Sequence, residues 1–443
     1  MTATRANGPA EVPIPAPPPL ARFPVHVSAD RRRLLDADGQ PFLIQGDAAW
    51  SLIANTTLDE ATRYLDERRA FGFNTILVSL IEYLFAADPP RDRAGEEPFL
   101  EPGDFRTPNE PYFAHAERVL ELASERGFLV LLAPAYLGYP QPQYPGYHGR
   151  SEGWYDEVLA NGEDGCRAWG SYLGRRFGRF DNLVWTIGGD RNPGLALAPL
   201  NALAKAIRNT GVTTPFTAHV HPECSPVDEF PGADWLDLNP TYTYGIVHRA
   251  LIQDWRRDPV WPFFLIESTY EGEHDASALQ IRRQAYWSVL CGGNGHILGN
   301  KPMWLFGDGW PDHLGSPGSQ AMSRWGAFFR ALPWAALEPD LEASVVTHGL
   351  GEARGLDRVT AAVTGDGGLA VAYLPVQRAV TIDAGRLAGP RLGVDWFEPA
   401  TGRRVSGGEL GAIGEFVLEP PFREDSVLTI SALRGAGDGG PPP

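Results

Sequence analysis

Short apolar runs alternate with helix-like stretches through most of the chain. The helix-like stretches repeat their apolar residues every three or four positions, as in TLDEATRYLDERRAFG, where Thr57 can cap a helix, and PYFAHAERVLELASERG, which ends at Gly127. The apolar runs are short and bounded by Gly, Pro or polar residues, which is typical of buried strands. Eight such runs begin at residues 41, 73, 128, 182, 215, 235, 262 and 295.

Eight strands alternating with helices over roughly 290 residues form the pattern of a (β/α)₈ barrel. Only the link between the fifth and sixth runs is too short for a full helix. An open, doubly wound sheet is the alternative, but no glycine-rich phosphate-binding fingerprint follows the first run, which weakens a nucleotide-binding version of it. We therefore predict an α/β fold with a (β/α)₈ barrel, a TIM barrel, over residues 25–338.

The pattern changes near residue 339. Runs such as RVTAAVT, LAVAYLP, GEFVLEPP and SVLTIS follow one another without helical periodicity, separated by Gly, Asp and Pro. This spacing predicts a small antiparallel β-sandwich over residues 339–434. The proline-rich residues 1–24 predict a flexible leader, and GAGDGGPPP predicts a disordered tail over residues 435–443.

Composition narrows the classes of partner. A formal net charge of −17 would repel nucleic acid and anionic membranes, so we expect neither as a partner. The three cysteines, Cys166, Cys224 and Cys291, form no CxxC pair and indicate neither a disulfide framework nor a zinc knuckle. Prolines interrupt the region where a signal peptide needs an apolar core, and no later stretch is long and apolar enough to span a bilayer. We expect a soluble, cytoplasmic protein of undetermined oligomeric state.

The stretch NLVWTIGGDRNP, residues 182–193, delivers a carboxylate at the end of a buried strand. Gly188 and Gly189 let the backbone bend or approach another group closely, so Asp190 is expected at the carboxyl end of the fourth strand. Asp is also a favoured N-cap residue, and a helix rich in Ala and Leu begins near Leu195. A helix cap is therefore the simpler interpretation of Asp190 taken alone.

The carboxyl ends of the strands form the active site in a barrel of this kind, so the residues at those ends gather in one place. Here they are acidic, aromatic or histidine residues, and Tyr83, Tyr139, Tyr244 and Glu273 lie among them. Carboxylates beside flat aromatic faces suit a sugar, whose C–H groups stack on rings while its hydroxyls hydrogen-bond to acids. The predicted substrate contacts are Asp47, Trp50, Glu82, Tyr136, His219, His221, Tyr242, Tyr270, Glu271 and Trp304.

Glycoside hydrolysis needs two carboxyl groups on either side of the scissile bond, one protonated and one ionised. Asp190 and Glu267 fit this requirement, because the fourth and seventh strands lie across the barrel from each other. A structural interpretation remains open for both, namely the helix cap for Asp190 and a buried partner of Arg or Lys for Glu267.

The pair His219 and His221 supports a different chemistry. A His-x-His spacing on a strand places two imidazoles on the same side, where Asp190 could join them around a metal ion. The same spacing suits two hydrogen-bonding residues of a sugar site, and no further His or Cys stands at another strand end. We predict no metal and no cofactor, and keep the metal-dependent hydrolase as an alternative.

The motifs QPFLIQGDAAW, WTIGGDRNP, IESTYEG and IRRQAYWSVLCGGNGHILGNKPMW resemble, in this order, those of the apiosidase-like glycoside hydrolases. The later LAVAYLPVQRAVTIDAG and GVDWFEPATGRR resemble the small β-sandwich that is usually attached to these enzymes and is often labelled a collagen-binding domain. The resemblance covers nearly the whole chain, from about residue 25 to about residue 430. No basic or aromatic patch in the sequence supports collagen binding, and a packing role for the sandwich is the simpler expectation.

The resemblance implies a retaining glycosidase with Asp190 as acid/base and Glu267 as nucleophile. It also implies that Asp47 and Trp50 line the sugar subsite nearest the cleaved bond. At the seventh strand the family usually has the motif Gly-Glu-Pro-x-Tyr-Glu, whereas this chain has IESTYE. After the sixth strand the family often has Gln-Ser-Gly-His, whereas this chain has NPTYTYG. These differences leave the sugar open among apiose, another furanose such as arabinofuranose, and a pyranose.

The predicted function is a retaining, exo-acting glycoside hydrolase. Long loops after the second and third strands, including YLGYPQPQYPGYHG, would wall the cleft into a pocket that accepts a terminal sugar. A carbohydrate-binding protein without turnover is the other alternative, besides the metal-dependent hydrolase.

Overall fold

A parallel eight-stranded sheet curls into a nearly closed barrel. The computed structural model describes residues 12–140 and 152–433. A hairpin of β1 (His26–Val27) and β2 (Leu34–Leu35) precedes the barrel strands, which are β3 (Ile44–Ala48), β4 (Thr75–Ser79), β5 (Leu129–Ala133), β6 (Leu183–Gly188), β7 (Phe216–His219), β8 (Thr241–Tyr242), β9 (Leu265–Glu267) and β10 (Gly295–Leu298). Their order is β7-β6-β5-β4-β3-β10-β9-β8. Beside β8, the amides of Asp237 and Leu238 bridge the gap by donating to the carbonyl of Phe216.

Helices surround the sheet, as the alternating pattern predicts. They are α1 (Leu52–Asn55), α2 (Leu58–Ala70), α3 (Glu110–Glu125), α4 (Tyr155–Phe177), α5 (Leu197–Arg208), α6 (Pro226–Glu229), α7 (Val247–Trp255), α8 (Ala278–Leu290) and α9 (Pro317–Arg330). The four residues of α6 fill the link that looked too short for a full helix. Within the described ranges, every helix is too short or too polar to cross a membrane.

Local sequence explains where these elements begin and end. The Thr57 hydroxyl accepts from the amide of Glu60, and the Glu60 carboxylate accepts from the amide of Thr57, so α2 starts with a capping box. Gly127, just after α3, has a left-handed φ of 70°. In β5, Leu131 lies in the core inside the barrel and Leu132 in the core between strands and helices. Burial on both faces accounts for the uninterrupted apolar runs.

The segment before β3 closes the amino-terminal end of the barrel. Val25, Leu34 and Phe42 are buried in the inner core, and the ring of Phe23 packs 6.1 Å from that of Phe42. The end of the predicted leader is therefore packed against the barrel, because its apolar side chains complete the inner core. The predicted leader up to residue 11, the predicted tail and residues 141–151 of the predicted cleft wall lie outside the described residues.

The second domain is an antiparallel sandwich, as predicted. One sheet has the order β11-β13-β14-β19-β16-β17 and the other β12-β15-β18. The strands are β11 (Leu337–Pro339), β12 (Val346–His348), β13 (Thr360–Thr364), β14 (Leu369–Leu374), β15 (Val380–Asp383), β16 (Arg391–Phe397), β17 (Arg404–Gly411), β18 (Glu415–Leu418) and β19 (Ser426–Ala432). The sequence pattern does not predict β11 or β17. Strand β11 crosses the predicted boundary at residue 339, and the Ser and Gly residues of β17 carry no strand signal.

The two domains share a buried interface along α8. Arg282 donates to both carboxylate oxygens of Asp425 at 2.7 and 2.8 Å, with side chains 6% and 0% exposed. The rings of Tyr286 and Tyr373 stack with their centroids 4.7 Å apart, and the Tyr373 hydroxyl donates to Asp425. Because this ion pair joins helix to sandwich in a dry environment, the sandwich packs as an integral part of the molecule.

Candidate active site

Two glycines let the backbone leave β6 in a crowded place. A Cβ at Gly188 would lie 2.6 Å from the carbonyl oxygen of His219, and a Cβ at Gly189 would lie 2.3 Å from the ring of Tyr136. Both glycines have positive φ, and Asp190 follows with a φ of 53°, a left-handed value that Asp adopts more readily than most residues. The glycine pair therefore makes room for Tyr136 and turns Asp190 toward the mouth of the barrel.

Asp190 is held by a tyrosine and does not cap a helix. The Tyr136 hydroxyl donates to Oδ2 of Asp190 at 2.6 Å. Burial, and after it the charge of Asp190, raise the pKa of Tyr136, so this phenol keeps its proton. Within the described residues, Oδ1 of Asp190 is buried without a hydrogen-bond partner. The next helical turn starts after Pro193, which excludes the helix-cap interpretation.

Glu267 ends β9 and receives three hydrogen bonds. The hydroxyls of Tyr242 and Tyr244 donate to Oε1 at 3.2 and 2.9 Å, and Nε2 of His219 lies 3.1 Å from Oε2. The residue is 4% exposed. Burial, and after it the charge of Asp190, raise the pKa of Glu267, while the bonds from His219 and Tyr244 oppose this rise. Within the described residues no Arg or Lys forms an ion pair with Glu267, and its charge is supported by two tyrosine hydroxyls and His219.

His219, at the end of β7, connects the two carboxyl groups. The amide of Asp190 donates to Nδ1 at 3.2 Å, which in the neutral ring leaves the proton on Nε2, facing Glu267. Burial lowers the pKa of His219, but the bond to Glu267 and the charges of both acids outweigh burial and raise it. The ring is 1% exposed and lies behind the cavity, so its role is to position the acids.

The two acids lie close enough to act on one bond. One carboxylate oxygen of Asp190, one of Glu267 and one ring nitrogen of His219 all lie within 4.8 Å of one another. Asp190 keeps 18% of its side chain exposed, whereas Glu267 keeps 5%. The geometry therefore places one carboxyl group deep in the barrel and the other nearer its opening.

Both acids line a cavity of about 710 Å³ at the carboxyl ends of the strands. Carboxylates and aromatic rings make up most of its wall, which also contains Lys301 and His274. Six of the predicted substrate contacts lie in this wall: Trp50, Glu82, Tyr136, Tyr242, Tyr270 and Trp304. The volume and the mixture of flat rings with a few polar groups are those of a small-molecule site.

Within this wall, the indole rings are fixed by polar partners. Trp50 donates to the Tyr270 hydroxyl at 3.2 Å, and Trp304 donates to Glu273 at 2.9 Å. Glu82 accepts from the Ser51 hydroxyl and from three successive amides after it, so it shapes the loop that follows β4. Its carboxylate is already satisfied, which makes Glu82 a part of the wall with little capacity for a sugar hydroxyl.

Asp47 is not brought into the cavity. It is fully buried, accepts from the Tyr64 hydroxyl at 2.6 Å and forms an ion pair with Arg68 at 2.7 Å. The side chain of Arg68 is likewise 0% exposed. The predicted contact of Asp47 with substrate is thus replaced by a structural one, because its carboxylate serves a buried cation between β3 and α2.

Glu271 and His221 also point elsewhere. Glu271 accepts from Asn300, from the Ser316 hydroxyl and from the amide of Gly318, so it anchors the start of α9. His221 contacts the carbonyl of Pro222 through Nδ1 at 2.9 Å and lies outside the cavity lining. Neither is placed to contact a substrate directly. The predicted metal set of His219, His221 and Asp190 is not assembled for the same reason.

The wall also contains residues that the sequence does not predict as substrate contacts. They are Ser79, Phe85, Tyr139, Tyr244, Glu152, Thr269, Glu273, His274 and Lys301. Tyr244 carried a usable signal, since it follows Tyr242 by two residues and so can reach the same side of the chain. Phe85 and Glu152 lie in long connections, where the sequence gives no position relative to the barrel.

Comparison with known proteins identifies similar families and folds. The family model described as "Apiosidase-like, catalytic domain" matches residues 28–336, and the one described as "Putative collagen-binding domain of a collagenase" matches residues 342–431. A search of curated proteins found no significant match.

Solved structures with the same fold include several hydrolases. One named "Glycoside hydrolase" has a TM-score of 0.80 at 22% identity, covering 92% of this chain and 96% of its own. A glycoside hydrolase family 5 protein from Bacteroides vulgatus also has a TM-score of 0.80 at 22% identity, covering 92% and 93%. A family 5 mannosidase from Rhizomucor miehei has a TM-score of 0.52 at 10% identity, covering 70% and 98%. At these identities, the likeness establishes the fold.

Proposed function

The chain belongs to the apiosidase-like glycoside hydrolases, and on this premise we propose that it is a retaining, exo-acting glycosidase with Asp190 as acid/base and Glu267 as nucleophile. The observation that carries the proposal is the convergence of the two carboxyl groups, with oxygen atoms within 4.8 Å of each other. Retaining enzymes need carboxyl groups about 5 to 5.5 Å apart, whereas inverting enzymes need about 6.5 to 9.5 Å to admit a water molecule. An upper limit of 4.8 Å between one oxygen of each acid is nearer the retaining spacing than the inverting one, and so supports the retaining mechanism.

Glu267 is suited to attack the anomeric carbon. It is deeply buried, and Tyr242, Tyr244 and His219 direct donors at its two oxygens. Such donors favour the ionised form that a nucleophile requires and fix its orientation before the substrate arrives. In the first step a bond forms between a Glu267 oxygen and the anomeric carbon, while the bond to the leaving oxygen breaks.

Asp190 is suited to supply and recover the proton. Tyr136 donates to Oδ2, and Oδ1 is buried 3.6 Å from Nδ1 of His219, so the carboxyl group is oriented before the substrate arrives. In the first step, Asp190 gives its proton to the leaving oxygen. In the second step the Asp190 carboxylate takes a proton from water, which attacks the anomeric carbon and releases Glu267.

A terminal furanose, apiose or arabinofuranose, is the favoured substrate. The cavity of about 710 Å³ can enclose a small sugar, and Trp50, Tyr136 and Tyr242 place flat faces beside the acids. The family assignment supports apiose in particular. Fixed rings around one end of a glycoside favour exo-action, since an internal sugar would need an exit for the chain on both sides.

Hydrolysis of a panel of aryl glycosides tests this function. The panel contains apiofuranosides, arabinofuranosides and common pyranosides, each with a good and a poor leaving group. We expect turnover of a furanoside, loss of turnover in Glu267→Ala, and formation of an inverted glycosyl azide when azide is added to that variant. In Asp190→Asn, the poor leaving group should lose more activity than the good one, because it depends on protonation.

Two controls separate the alternatives. Glu273→Gln removes another carboxylate of the same wall. This variant should hydrolyse the substrate without added azide, since Glu273 contacts Trp304 and neither Asp190 nor Glu267. A chelator should leave turnover unchanged. Anomeric inversion of the product, or activity that needs one divalent ion, would refute the mechanism, and binding of glycosides without any turnover would identify a carbohydrate-binding protein.

A further inference from the structure

A second cavity, of about 750 Å³, lies where α7 faces the start of the sandwich. We refer to it as the junction cleft. Its charged lining is dominated by three arginines, Arg249 and Arg256 from α7 and its end and Arg358 from the segment before β13. Arg249 and Arg256 are seven residues apart, two helical turns, and so share one face of α7. Arg358 approaches that face from the other domain.

None of these three guanidinium groups has an acceptor or an ion-pair partner anywhere in residues 12–140 and 152–433. Their immediate neighbours behave differently. Arg257 pairs with Asp254 and Asp228, and Arg378 pairs with Asp357, next to Arg358 in the chain. Carboxylates are therefore within reach of this region and are already used by other arginines.

The two acids that also line the cleft serve the backbone. Glu223 accepts from the amides of Tyr244 and Gly245 and from the Thr243 hydroxyl. Asp340 accepts from the amides that precede β12 and from the Ser344 hydroxyl. Their oxygens are thus engaged in holding two loops, and neither acid forms an ion pair with the three arginines within the described residues. The charged lining therefore has three guanidinium groups against two carboxylates.

Donors reach the cleft from both domains. Arg249 and Arg256 are exposed on α7 and at its end, and Arg358, on the opposite side, is partly buried. The three guanidinium groups therefore supply donors from two sides of the same space.

We propose that the junction cleft binds a multivalent oxyanion. The planar fork of a guanidinium matches the two oxygens of a carboxylate or phosphoryl group, and several like charges around one space favour a ligand with more than one negative charge. The protein as a whole carries −17, so the attraction is local to this cleft and opposes the general repulsion of anions. The ligand is either a polycarboxylate or a phosphate.

Isothermal titration calorimetry of the full chain at low ionic strength tests the proposal with three probes: citrate, inorganic phosphate and acetate. We expect citrate or phosphate to bind, and acetate to bind at least about tenfold more weakly, because one carboxylate engages fewer guanidinium groups. Tighter binding of citrate identifies a carboxylate ligand, and tighter binding of phosphate identifies a phosphoryl ligand. Absence of binding by both overturns the proposal.

Variants assign the binding to the cleft. Arg358→Gln and the double variant Arg249→Gln with Arg256→Gln should each weaken binding at least about tenfold. Arg63→Gln removes the same charge from an exposed pair on α2 and should bind as the wild type does, as should Lys301→Gln in the active-site wall. Equal weakening in either control, or unchanged binding in the cleft variants, contradicts the proposal. Arg358→Lys keeps the charge and loses the planar fork, so its binding should be weaker than that of the wild type and stronger than that of Arg358→Gln.

Discussion

The mouth of the barrel and the junction cleft are cavities of nearly equal volume, about 710 and 750 Å³, with opposite charge. In the mouth, Asp190 and Glu267 lie close together, and hydrogen bonds from side chains fix both. In the cleft, Arg249, Arg256 and Arg358 outnumber Glu223 and Asp340, and no acceptor fixes the three arginines within the described residues. Like charges are gathered in both places, but only the acids are held in position.

This difference separates a site built for reaction from one built for binding. A reaction requires charges oriented before the substrate arrives, and each donor on Glu267 contributes to that orientation. A binding site can leave its charges to be ordered by the ligand, at some cost in affinity. The ion pair of Arg282 and Asp425 is a third case for comparison. Both charges are buried and matched inside the protein, and the pair has a purely structural role.

The largest expected effect is on catalysis. Glu267→Gln should lower kcat by about 10⁴-fold or more, since it removes the nucleophile while keeping its volume. Arg358→Gln should leave kcat within about twofold, because the cleft takes no part in the reaction. Steady-state kinetics on the best aryl glycoside measure both. A similar loss in the two variants would end the distinction between a reactive and a binding cavity.

The next effect concerns stability at the interface between the domains. Asp425→Ala should lower the free energy of unfolding by about 3–5 kcal/mol, because it leaves Arg282 buried without its partner. Glu424→Ala removes the other carboxylate on Arg282, which is 64% exposed, and should cost less than about 1 kcal/mol. Urea denaturation compares the two variants. Equal costs would mean that burial does not decide the strength of these pairs.

Tyr244 offers a finer test of the donors in the mouth. Tyr244→Phe should lower kcat about tenfold, the lower end of the effect of a hydrogen bond to a charged group. It should also move the acidic limb of the kcat/KM profile to higher pH. The reason is that the Tyr244 bond opposes the rise in the pKa of Glu267, and without it the nucleophile ionises only at a higher pH.

Tyr139→Phe is the matched control, since Tyr139 lines the same wall and its ring packs on His221. Its acidic limb should coincide with that of the wild type. An unchanged limb in Tyr244→Phe would show that this hydroxyl does not support the charge of Glu267.

The smallest effect separates adjacent arginines. Arg256→Gln should change the free energy of unfolding by no more than about 0.5 kcal/mol, because this side chain has no partner to lose in the described residues. Arg257→Gln should cost about 1–3 kcal/mol, because it deprives the buried Asp254 of its cation. Thermal and urea unfolding of the two variants measure this difference in stability. A cost for Arg256 equal to that for Arg257 would indicate a counter-charge on Arg256.

The barrel was predictable from sequence because both faces of its strands are buried. The run from Phe73 predicted β4, and the run from Asn182 predicted β6, since continuous burial leaves a continuous apolar signal. The strand predicted from Trp235 is only two residues long, Thr241–Tyr242, because its apolar start belongs to a loop that packs on β7. Strand β17 was missed, because an exposed strand of Ser and Gly has no such signal.

The site was predictable only in part, because the sequence does not show in which direction each side chain at a strand end points. The sequence shows that Asp47, Glu82 and Glu267 stand at or near strand ends, but it does not show which of them meets a partner inside the protein. Arg68 reaches Asp47 from α2, 21 residues away, and so converts a strand-end acid into a structural one. Such a contact depends on how the helix packs, which no local pattern encodes.

The pairing of β3 with β10 has a consequence for synthesis on the ribosome. Ile44 pairs with Gly295 and Asp47 with Leu298. About 250 further residues must therefore be synthesised before β10, the second neighbour of β3, can pair with it. Until then one edge of β3 exposes its amides and carbonyls, and edges of that kind attract other chains. The nascent protein therefore depends on late closure, and its solubility during translation rests on how the unfinished half-barrel is protected.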